Sequence, residues 1–386
     1  MGTLPFEILQ WTLALTGVWL ISGTLLNFSS HSHWYVRGWD FPRVFAAGLA
    51  LIVAAAWAWT CLDDWRWWDG VFLALLAGVV GVQVWNIYPY TPLARPQVLR
   101  SGRGDDVPSI SLVATNVLIE NRAFDQWREV IRAAHADVIL AVEVDDAWME
   151  GAVRPLIADW PHVVAEPRDN CYGMVLLSRL ELVNPEVRYT VQEDIPSIHC
   201  GVRLKSGDVI DLHCLHPRPP EPLRNQNSTP RDAELVLLGR AIGEDPADPP
   251  TIVTGDLNDV AWSHTTRLFL RLSGLLDPRI GRGFFNSYNA KNPLFRFPLD
   301  HFFHSNDFRL IELRRLDFVG SDHFPMYLAL SYEPARQEEQ PEPEEDASDR
   351  EQADEMLEAQ AREEAAKAAH PVRRPDTTPI EASQKP

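Results

Sequence analysis

The sequence has few basic residues and few cysteines for its length of 386 residues. Its 35 Lys and Arg are outnumbered by 54 Asp and Glu, which gives a formal net charge of -19 at pH 7. Because Lys and Arg drive nonspecific binding to nucleic-acid phosphates, this composition argues against strong, sequence-independent binding to DNA. The cysteines are Cys61, Cys171, Cys200 and Cys214, and they lack the Cys-x-x-Cys spacing typical of metal sites. They neither require nor exclude an oxidising compartment.

Charge is almost absent from the first 90 residues, which carry most of the 14 Trp. Three apolar stretches, at residues 6–28, 44–62 and 71–88, each have about the 20 residues that a helix needs to cross a bilayer. A single cleavable signal peptide is the alternative, but no Lys or Arg precedes the first stretch and two more stretches follow. The sequence therefore predicts a three-helix transmembrane region over residues 1–90, with the membrane lipid bilayer as its partner.

The loop charges predict which side of the membrane the C-terminal part faces, since three spans place the two ends of the chain on opposite sides. Most of the basic residues near the spans lie on the side of the C-terminal part: Arg37, Arg43, Arg95, Arg100 and Arg103, against Arg66 on the other side. This favours a bacterial-type inner (plasma) membrane with the C-terminal part in the cytoplasm. Because the difference is small, an outward-facing arrangement stays open.

Two polar segments flank residues 108–334. Residues 91–107 are interrupted by Pro and Gly among charged residues, which is typical of a linker without regular structure. Residues 335–386 have about twice as many acidic as basic side chains and no apolar stripe, so they predict an acidic tail that is a solvated helix or disordered. A partner-binding role for this tail is the alternative, and no particular protein partner is predicted.

Residues 108–334 contain many short apolar segments rich in β-forming residues, interleaved with a few helical patterns. The helical patterns lie at residues 124–134, 232–242 and 263–272. Short strands interleaved with outer helices predict an α/β fold, a two-sheet α/β sandwich preceded by the three-helix transmembrane anchor.

Short polar motifs follow the predicted strands in a fixed order. They are Asn116, Glu143, His216, Gly255-Asp256-Leu257-Asn258, Asp300-His301 and Ser321-Asp322-His323. Because each motif lies at the end of an apolar run, we expect these side chains to gather along one edge of the sandwich. Carboxylate and amide oxygens are hard ligands that suit Mg²⁺. The pattern indicates metal-dependent hydrolysis of a phosphoester.

This order of motifs resembles the endonuclease/exonuclease/phosphatase family, whose fold is the deoxyribonuclease I-like sandwich. The resemblance covers residues 108–332, and the chain is similar to a membrane-anchored bacterial-type member. The Gly-Asp-Leu-Asn and Ser-Asp-His motifs are specific when they occur together in this order. The resemblance implies a metal-dependent phosphoric ester hydrolase that uses Mg²⁺ or Mn²⁺.

Three residues are candidates for the metal site. Glu143 directly follows an apolar strand, where a carboxylate is costly to bury unless it has a partner, so it is the strongest candidate ligand. The resemblance implies that Asn116 supports the same site and that Asp322 contributes to the shell of the metal or its water. Taken alone, Asn116 would be read as a turn residue and Glu143 as a solvated strand end.

Five further residues are candidates for catalysis. Asp256 and Asn258 alternate across Leu257, so both side chains can point the same way. The resemblance implies that Asp256 positions or deprotonates the attacking water and that Asn258 holds the phosphate. It also implies that Asp300 orients His323, which binds the phosphate or acts as a base.

The fifth candidate, His216, has a competitor in His213. Alternation along the strand would aim the two rings at opposite faces, and the Pro-Arg-Pro-Pro that follows His216 resembles the loop after the catalytic histidine of the family. We therefore expect His216 to stabilise the phosphate and His213 to be a core or sheet-face residue. We do not expect His301 to contact the metal or the phosphate.

The sequence departs from the family pattern at one position, Val142. Many nucleases of the family carry Gln immediately before the metal-binding Glu, so nuclease-like geometry is in doubt here. The preferred substrate is a lipid-linked or small-molecule phosphoester, because the chain is acidic and the predicted anchor places the site near lipid headgroups. A membrane-tethered endo- or exonuclease and a non-catalytic membrane scaffold are the alternatives. Whether the aromatic residues at 284–285 and 295–297 form a substrate wall or only core stays open.

Overall fold

The computed structural model describes residues 4–29, 31–102, 107–220, 227–245 and 247–369. Arg103, Arg224 and the end of the predicted tail, residues 370–386, lie outside the described residues. The longer helices are Leu4–Leu26, Arg43–Thr60, Trp67–Ile87, Phe124–Ala134, Thr229–Gly243, His264–Ser273 and Ala347–Ala369. The short helical segments are Trp34–Arg37, Gly38–Asp40, Tyr88–Tyr90, Asp146–Trp148, Met149–Val153, Arg154–Leu156 and Pro334–Glu339.

The first three long helices are long and apolar enough to cross a membrane, judged by length and composition. Leu20, Ala50 and Leu76 pack where these helices meet. Only 28%, 28% and 17% of the residues in their apolar stretches are buried. Helices that are apolar on nearly every side need an apolar environment around them, which a bilayer supplies.

The rest of the described chain forms the two-sheet α/β sandwich predicted from the sequence, which is thereby confirmed. The strands are β1 Ser109–Asn116, β2 Val138–Val142, β3 His162–Glu166, β4 Met174–Ser178, β5 Leu182–Arg188, β6 Ser197–Arg203, β7 Val209–Leu215, β8 Thr251–Asp256, β9 Asp300–His304, β10 Phe308–Arg315 and β11 Met326–Tyr332. One sheet has the order β10-β11-β1-β2-β4-β3, and the other has the order β5-β6-β7-β8-β9.

The core lies between the two sheets and follows from alternation along the strands. Leu112 and Leu140 point inward from the first sheet, and Leu212 and Ile252 point inward from the second. Successive strand side chains face opposite ways, so the neighbouring residues point outward beneath helices. Each fully buried side chain of this size stabilises the fold by about 1.5–3 kcal/mol.

One edge of the sandwich collects the carboxyl ends of four strands. β1 and β2 run parallel in the first sheet, and β7 and β8 run parallel in the second. β9 and β11 run antiparallel to their neighbours, so their amino ends lie at the same edge. Every polar motif singled out in the sequence directly ends, follows or precedes one of these strands at that edge.

The segment between the first two apolar helices is held against the sandwich. The indole Nε1 of Trp262 donates a hydrogen bond to the backbone oxygen of Asp40 over 2.7 Å. Ser228 Oγ donates to the backbone oxygen of Ser32 over 2.9 Å. Arg43 forms a buried ion pair with Asp40. The apolar helices are therefore joined to the sandwich by buried contacts as well as by the chain itself.

The end of the described chain also packs on the sandwich, which differs from the expected solvated tail. In the helix Ala347–Ala369, Ala353 and Met356 are buried against the two outer helices of the second sheet. Asp349 forms an ion pair with Arg271 over 2.7 Å. Two buried apolar residues are too few to form a visible stripe in a sequence dominated by Ala and Glu, which explains the difference.

Candidate active site

The structure brings all eight predicted site residues to one edge of the sandwich. Six of them line a cleft of about 520 Å³: Asn116, Glu143, Asp256, Asn258, Asp322 and His323. His216 lines an adjoining pocket together with Glu143 and Asn258. Asp300 is buried behind His323 and contacts its ring. Nothing in their sequence separation requires this proximity, which arises from the strand order.

Asn116 connects the two sheets at the bottom of the cleft. Its amide nitrogen donates to Glu143 Oε1 over 2.7 Å and to Asp256 Oδ2 over 3.0 Å. Its amide oxygen accepts a hydrogen bond from the backbone nitrogen of Leu118 over 2.9 Å. One side chain from β1 therefore aligns a carboxylate of the first sheet with a carboxylate of the second.

Glu143 directly follows β2 at a left-handed backbone position, with φ of 64°. Such a conformation costs a residue other than glycine about 1–3 kcal/mol, and it is common at functional sites. Its Oε2 accepts a hydrogen bond from the backbone nitrogen of Ile119 over 3.1 Å. Burial raises the pKa of Glu143 to about 7, although the hydrogen bonds from Asn116 and Ile119 oppose this. A cation beside it would favour the charged carboxylate.

The Gly-Asp-Leu-Asn motif needs a glycine at its first position because the backbone of β7 lies too close for a side chain. Gly255 has φ of +148°, and a Cβ at this position would lie 1.8 Å from the backbone oxygen of Leu215. Leu257 is buried in the core, as the alternation predicted. Asp256 Oδ1 accepts a hydrogen bond from the backbone nitrogen of Asn258 over 2.9 Å. Asn258 Nδ2 donates to the backbone oxygen of Pro217 over 3.0 Å, which fixes the amide beside the cleft.

His323 lies between two carboxylates. Its Nδ1 donates to Asp300 Oδ2 over 2.7 Å, and its Nε2 lies 3.5 Å from Asp256 Oδ2. Burial alone would lower the pKa of His323, but the charges of Asp300 and then Asp256 outweigh it and raise the pKa to about 10. Burial raises the pKa of Asp256, and the His323 charge opposes that shift. The two flanking carboxylates therefore favour the charged form of the His323 ring.

His216 has the opposite charge state. Its Nε2 lies 3.8 Å from Asp256 Oδ2, and burial lowers its pKa to about 4, which Asp256 only partly offsets. The ring packs against Tyr172 with 5.4 Å between centroids. The Asp256 carboxylate thus lies between the neutral ring of His216 and the ring of His323, whose charged form is favoured. His216 is suited to hydrogen bonding, and His323 is suited to stabilising negative charge.

Asp322 and Ser321 complete the cleft. Asp322 is half-buried and lines the cleft. Ser321 Oγ donates to the backbone oxygen of Asn116 over 2.8 Å and accepts from the backbone nitrogen of His323 over 3.0 Å. The Ser321 hydroxyl therefore fixes the Ser-Asp-His loop to the end of β1, which sets the positions of both neighbouring side chains.

The donor atoms in the cleft suit a divalent metal ion. Ligand atoms of Asp256, Asp300 and His323 all lie within 4.8 Å of one another. Glu143 and Asp322 add carboxylates to the same cleft. Oxygen-rich sites of this kind select Mg²⁺ or Mn²⁺ over softer metals. The concentration of buried carboxylates, together with the raised pKa values of Glu143 and Asp256, fits a site that is completed by a cation.

Several residues that line the cleft were not found from the sequence. Trp34, Gly38 and Phe41 come from the segment between the first two apolar helices, and Tyr288 comes from a loop before β9. The ring of Tyr288 lies 5.0 Å from that of His323. No local pattern marks these positions, because their role depends on contacts with residues far away in the chain.

Two other histidines lie outside the cleft, as expected. His301 is buried, with its Nδ1 2.8 Å from Arg279 Nη2 and its Nε2 2.9 Å from the backbone oxygen of Asp259. His213 contacts His199 on the outer face of the second sheet. Both rings therefore have structural partners away from the cleft.

Comparisons with known proteins identify the family of the chain. The model of the Endonuclease/Exonuclease/phosphatase family matches residues 113–323, more than half of the chain. No curated protein matches the chain. Among solved structures, D. rerio TDP2 complexed with a single-strand DNA product is 17% identical, with TM-score 0.48, and the match covers 58% of this chain and 99% of that one.

Two further solved structures are similar over the same region. The human Nocturnin catalytic domain with bound sulfate is 17% identical, with TM-score 0.45, covering 58% of this chain and 94% of that one. An endonuclease/exonuclease/phosphatase from Beutenbergia cavernae is 15% identical, with TM-score 0.46, covering 58% and 72%.

The matched residues 113–323 contain every predicted site residue, and family members are metal-dependent phosphoric ester hydrolases. The chain belongs to the Endonuclease/Exonuclease/phosphatase family and is an enzyme of that class.

Proposed function

We propose that this protein is a membrane-anchored phosphoesterase, dependent on Mg²⁺ or Mn²⁺, that hydrolyses a lipid-linked or small-molecule phosphoester. The observation that carries the proposal is the composition of the cleft. Its floor holds the carboxylate and histidine cluster, and its wall includes Trp34 and Phe41 from the segment between two apolar helices. An active site walled by the anchor favours a substrate that the membrane presents.

The metal would be held by Glu143, with Asn116 and Asp322 supporting the site. When bound, a divalent ion neutralises phosphoryl oxygens and helps the ester oxygen to leave. Glu143 is suited to this role because Asn116 and the backbone of Ile119 fix both of its carboxylate oxygens. The amide of Asn116 also fixes the distance between Glu143 and the water-activating Asp256.

Asp256 positions the attacking water and accepts its proton. The water oxygen forms a bond to phosphorus, the ester phosphorus–oxygen bond breaks, and the leaving alkoxide takes up a proton from solvent water. The imidazolium of His323 stabilises the charge on the phosphoryl oxygens, and Asp300 keeps that ring oriented and charged. His216 and Asn258 hold the phosphate from the other side of Asp256. General acid–base help of this kind contributes about 10²–10⁴-fold to a rate.

The surroundings of the cleft support a lipid or small molecule more than DNA. Arg218 lines the adjoining pocket and forms an ion pair with Asp194 over 2.7 Å. Arg231 is buried, and it pairs with Asp232 over 2.9 Å. Arg224, which lies between these two arginines in the sequence, is outside the described residues. Among the described residues, the cleft therefore has no track of free basic side chains that could follow a nucleic-acid backbone.

The membrane location is supported by the three exposed apolar helices and by their tryptophans. The exposed tryptophans of this region are Trp11, Trp19, Trp59, Trp65, Trp67, Trp68 and Trp85. Several lie near helix ends, where indole rings suit the bilayer interface. We further propose a bacterial-type inner membrane with the sandwich in the cytoplasm, on the basis of the loop arginines. A C-terminal reporter that is active only outside the cytoplasm tests this, since its activity in intact cells would reverse the orientation.

The activity is tested with the full chain in detergent micelles. We expect hydrolysis of p-nitrophenyl phosphate or p-nitrophenyl methyl phosphate with Mg²⁺ or Mn²⁺, and none with EDTA. These two esters separate monoesterase from diesterase action. Supercoiled and single-stranded DNA are tested in parallel, and cleavage of DNA alone would favour a membrane-tethered nuclease. A triple variant that combines Glu143→Ala, Asp256→Ala and His323→Ala is tested in cells. If it keeps full function, a non-catalytic scaffold would be favoured instead.

A further inference from the structure

A second cavity, of about 410 Å³, lies where the second apolar helix meets the sandwich. Phe41, Val44 and Phe45 line it from the start of that helix. Trp262 and the loop at residues 284–297 line it from the sandwich. Its volume falls in the range of about 300–1,000 Å³ that is typical of small-molecule pockets.

The cavity adjoins the catalytic cleft, and aromatic residues lie between the two spaces. Phe41 lines both spaces. Its ring lies 5.6 Å from that of Phe297, which in turn lies 6.3 Å from the ring of Phe45. The backbone of Phe297 pairs with that of Tyr288, whose ring faces His323. An apolar chain can therefore extend from the histidine cluster into the cavity along aromatic surface.

The outer end of the cavity has the features of a membrane interface. Leu294 and Phe295 are 72% and 54% exposed, and the ring of Phe295 lies 5.2 Å from that of Phe45 on the apolar helix. Exposed apolar side chains next to a candidate membrane span are suited to contact with lipid. The loop that closes the cavity thus lies on the side of the molecule where the apolar helices begin.

Two arginines accompany this apolar loop. Arg296 and Arg315 also line the cavity, and their guanidinium groups lie over the ring of Phe324 at 5.1 and 4.2 Å. Within the described part of the chain, neither forms an ion pair with a carboxylate. Basic side chains beside membrane-inserting apolar residues attract anionic headgroups. Their position favours a lipid as the occupant over an uncharged metabolite.

We propose that this cavity receives the hydrocarbon chain of a lipid phosphoester whose phosphate lies in the catalytic cleft. The inference rests on the proposed phosphoesterase function and names its substrate class. The lipid enters from the bilayer beside Phe45, its chain packs among the aromatic rings, and its phosphate reaches Asp256 and His323. The residues at 284–285 and 295–297, whose role the sequence left open, form the wall of this subsite.

The test compares two phosphodiesters that differ only in chain length, p-nitrophenyl hexadecyl phosphate and p-nitrophenyl methyl phosphate. Both have the same leaving group and the same reacting phosphorus. With the full chain in micelles, we expect kcat/KM for the hexadecyl ester to exceed that for the methyl ester by about tenfold or more, since buried methylene groups favour binding. A ratio near one in an active enzyme would overturn the inference while leaving the proposed function intact.

Two variants locate the effect in the cavity. Val44→Trp fills it and Phe45→Ala removes one of its walls, so both are expected to lower the hexadecyl-to-methyl ratio about tenfold. The matched control is Leu51→Trp, which adds the same bulk at an exposed position of the same helix. An equal loss in Leu51→Trp, or no loss in Val44→Trp, would contradict the assignment.

A binding measurement separates failure of the inference from failure of the proposed function. If neither ester is hydrolysed with Mg²⁺ or Mn²⁺, the phosphoesterase proposal fails for diesters. Calorimetric titration with hexadecyl phosphate and methyl phosphate then tests whether the cavity binds a hydrocarbon chain, independently of catalysis. Tighter binding of hexadecyl phosphate that Val44→Trp removes and Leu51→Trp keeps would support the chain subsite. Equal binding in all three proteins would overturn it.

Discussion

Nδ1 of His323 and Oδ2 of Asp300 lie 2.7 Å apart at the buried end of β9, and both groups are shielded from water. The backbone nitrogen of Asp300 is itself held by Ser287 Oγ over 3.1 Å. The carboxylate therefore fixes both the orientation and the charge of the imidazole that faces Asp256. This pair connects the Asp-His motif near residue 300 with the Ser-Asp-His motif, which are separate in the sequence.

We predict that Asp300→Asn lowers kcat by about 10²–10⁴-fold with little change in KM. The amide has the same shape but no charge, so the imidazolium of His323 loses its main support. Steady-state kinetics with p-nitrophenyl methyl phosphate checks this. Asp208→Asn, in the exposed turn between β6 and β7, is the matched control. A kcat within about threefold of the wild type would show that the pair has no catalytic importance.

Glu143→Gln is expected to weaken metal binding. Replacing the carboxylate removes a charge from the ligand set, so we expect the Mg²⁺ concentration for half-maximal activity to rise at least about tenfold. Titration of activity and direct calorimetry with Mn²⁺ measure this separately. Glu129→Gln, on the exposed face of the helix Phe124–Ala134, should behave like the wild type. Unchanged Mn²⁺ affinity in Glu143→Gln would place the ion elsewhere in the cleft.

Asp40→Ala is predicted to lower the free energy of unfolding by about 3 kcal/mol, because it leaves the buried Arg43 without its carboxylate partner. Thermal unfolding in detergent, followed by fluorescence, measures the change. The control is Asp64→Ala, which breaks an exposed pair with Arg66 and should change stability by no more than about 0.5 kcal/mol. If both variants unfold at the same temperature, the junction contributes nothing to stability.

We predict that the buried pair of His199 and His213 makes the folded protein less stable in acid. Burial lowers the pKa of His199 to about 3, with help from His213 and Arg188, and burial lowers the pKa of His213 to about 4. Their ordinary value is 6.5. Between pH 6.5 and about 4 the unfolded chain binds protons that the folded chain does not, so stability falls as pH falls, by up to about 1.4 kcal/mol per pH unit for each ring.

The measurement for this pair is the melting temperature from pH 8 to pH 4.5. His199→Gln should flatten the dependence below about pH 6.5, because one of the two groups no longer titrates. His162→Gln, at the start of β3, is the control for the loss of a histidine outside this pair. An identical slope in all three proteins would mean that other groups determine the acid response.

The sequence predicted the sandwich and the polar residues that the structure brings to one edge of it, because both depend on local patterns. Alternating apolar residues define strands such as β2 and β8, and polar residues at strand ends have few structural reasons to be there. The strand order then brought Asn116 of one sheet to Asp256 of the other, which the family resemblance implied and spacing alone could not. Their proximity is set by the packing of two sheets, a long-range property.

The contribution of the segment between the first two apolar helices to the cleft could not be predicted. Trp34 and Phe41 lie in the connection between two apolar helices, and no sequence pattern distinguishes this connection from others of its kind. Their position depends on Trp262 and Ser228, more than 180 residues later in the sequence. The packing of Met356 was missed for a similar reason, since a lone apolar residue in an acidic helix has no periodic pattern around it.

Because Trp262 ties the first interhelical segment to the sandwich, the mouth of the cleft keeps a constant height above any bilayer that the helices cross. An enzyme held in this way meets a lipid substrate by lateral diffusion in two dimensions. Its rate would follow the mole fraction of substrate in the membrane, and its bulk concentration would matter little. Adding inert lipid would slow turnover even while the total amount of substrate stayed the same.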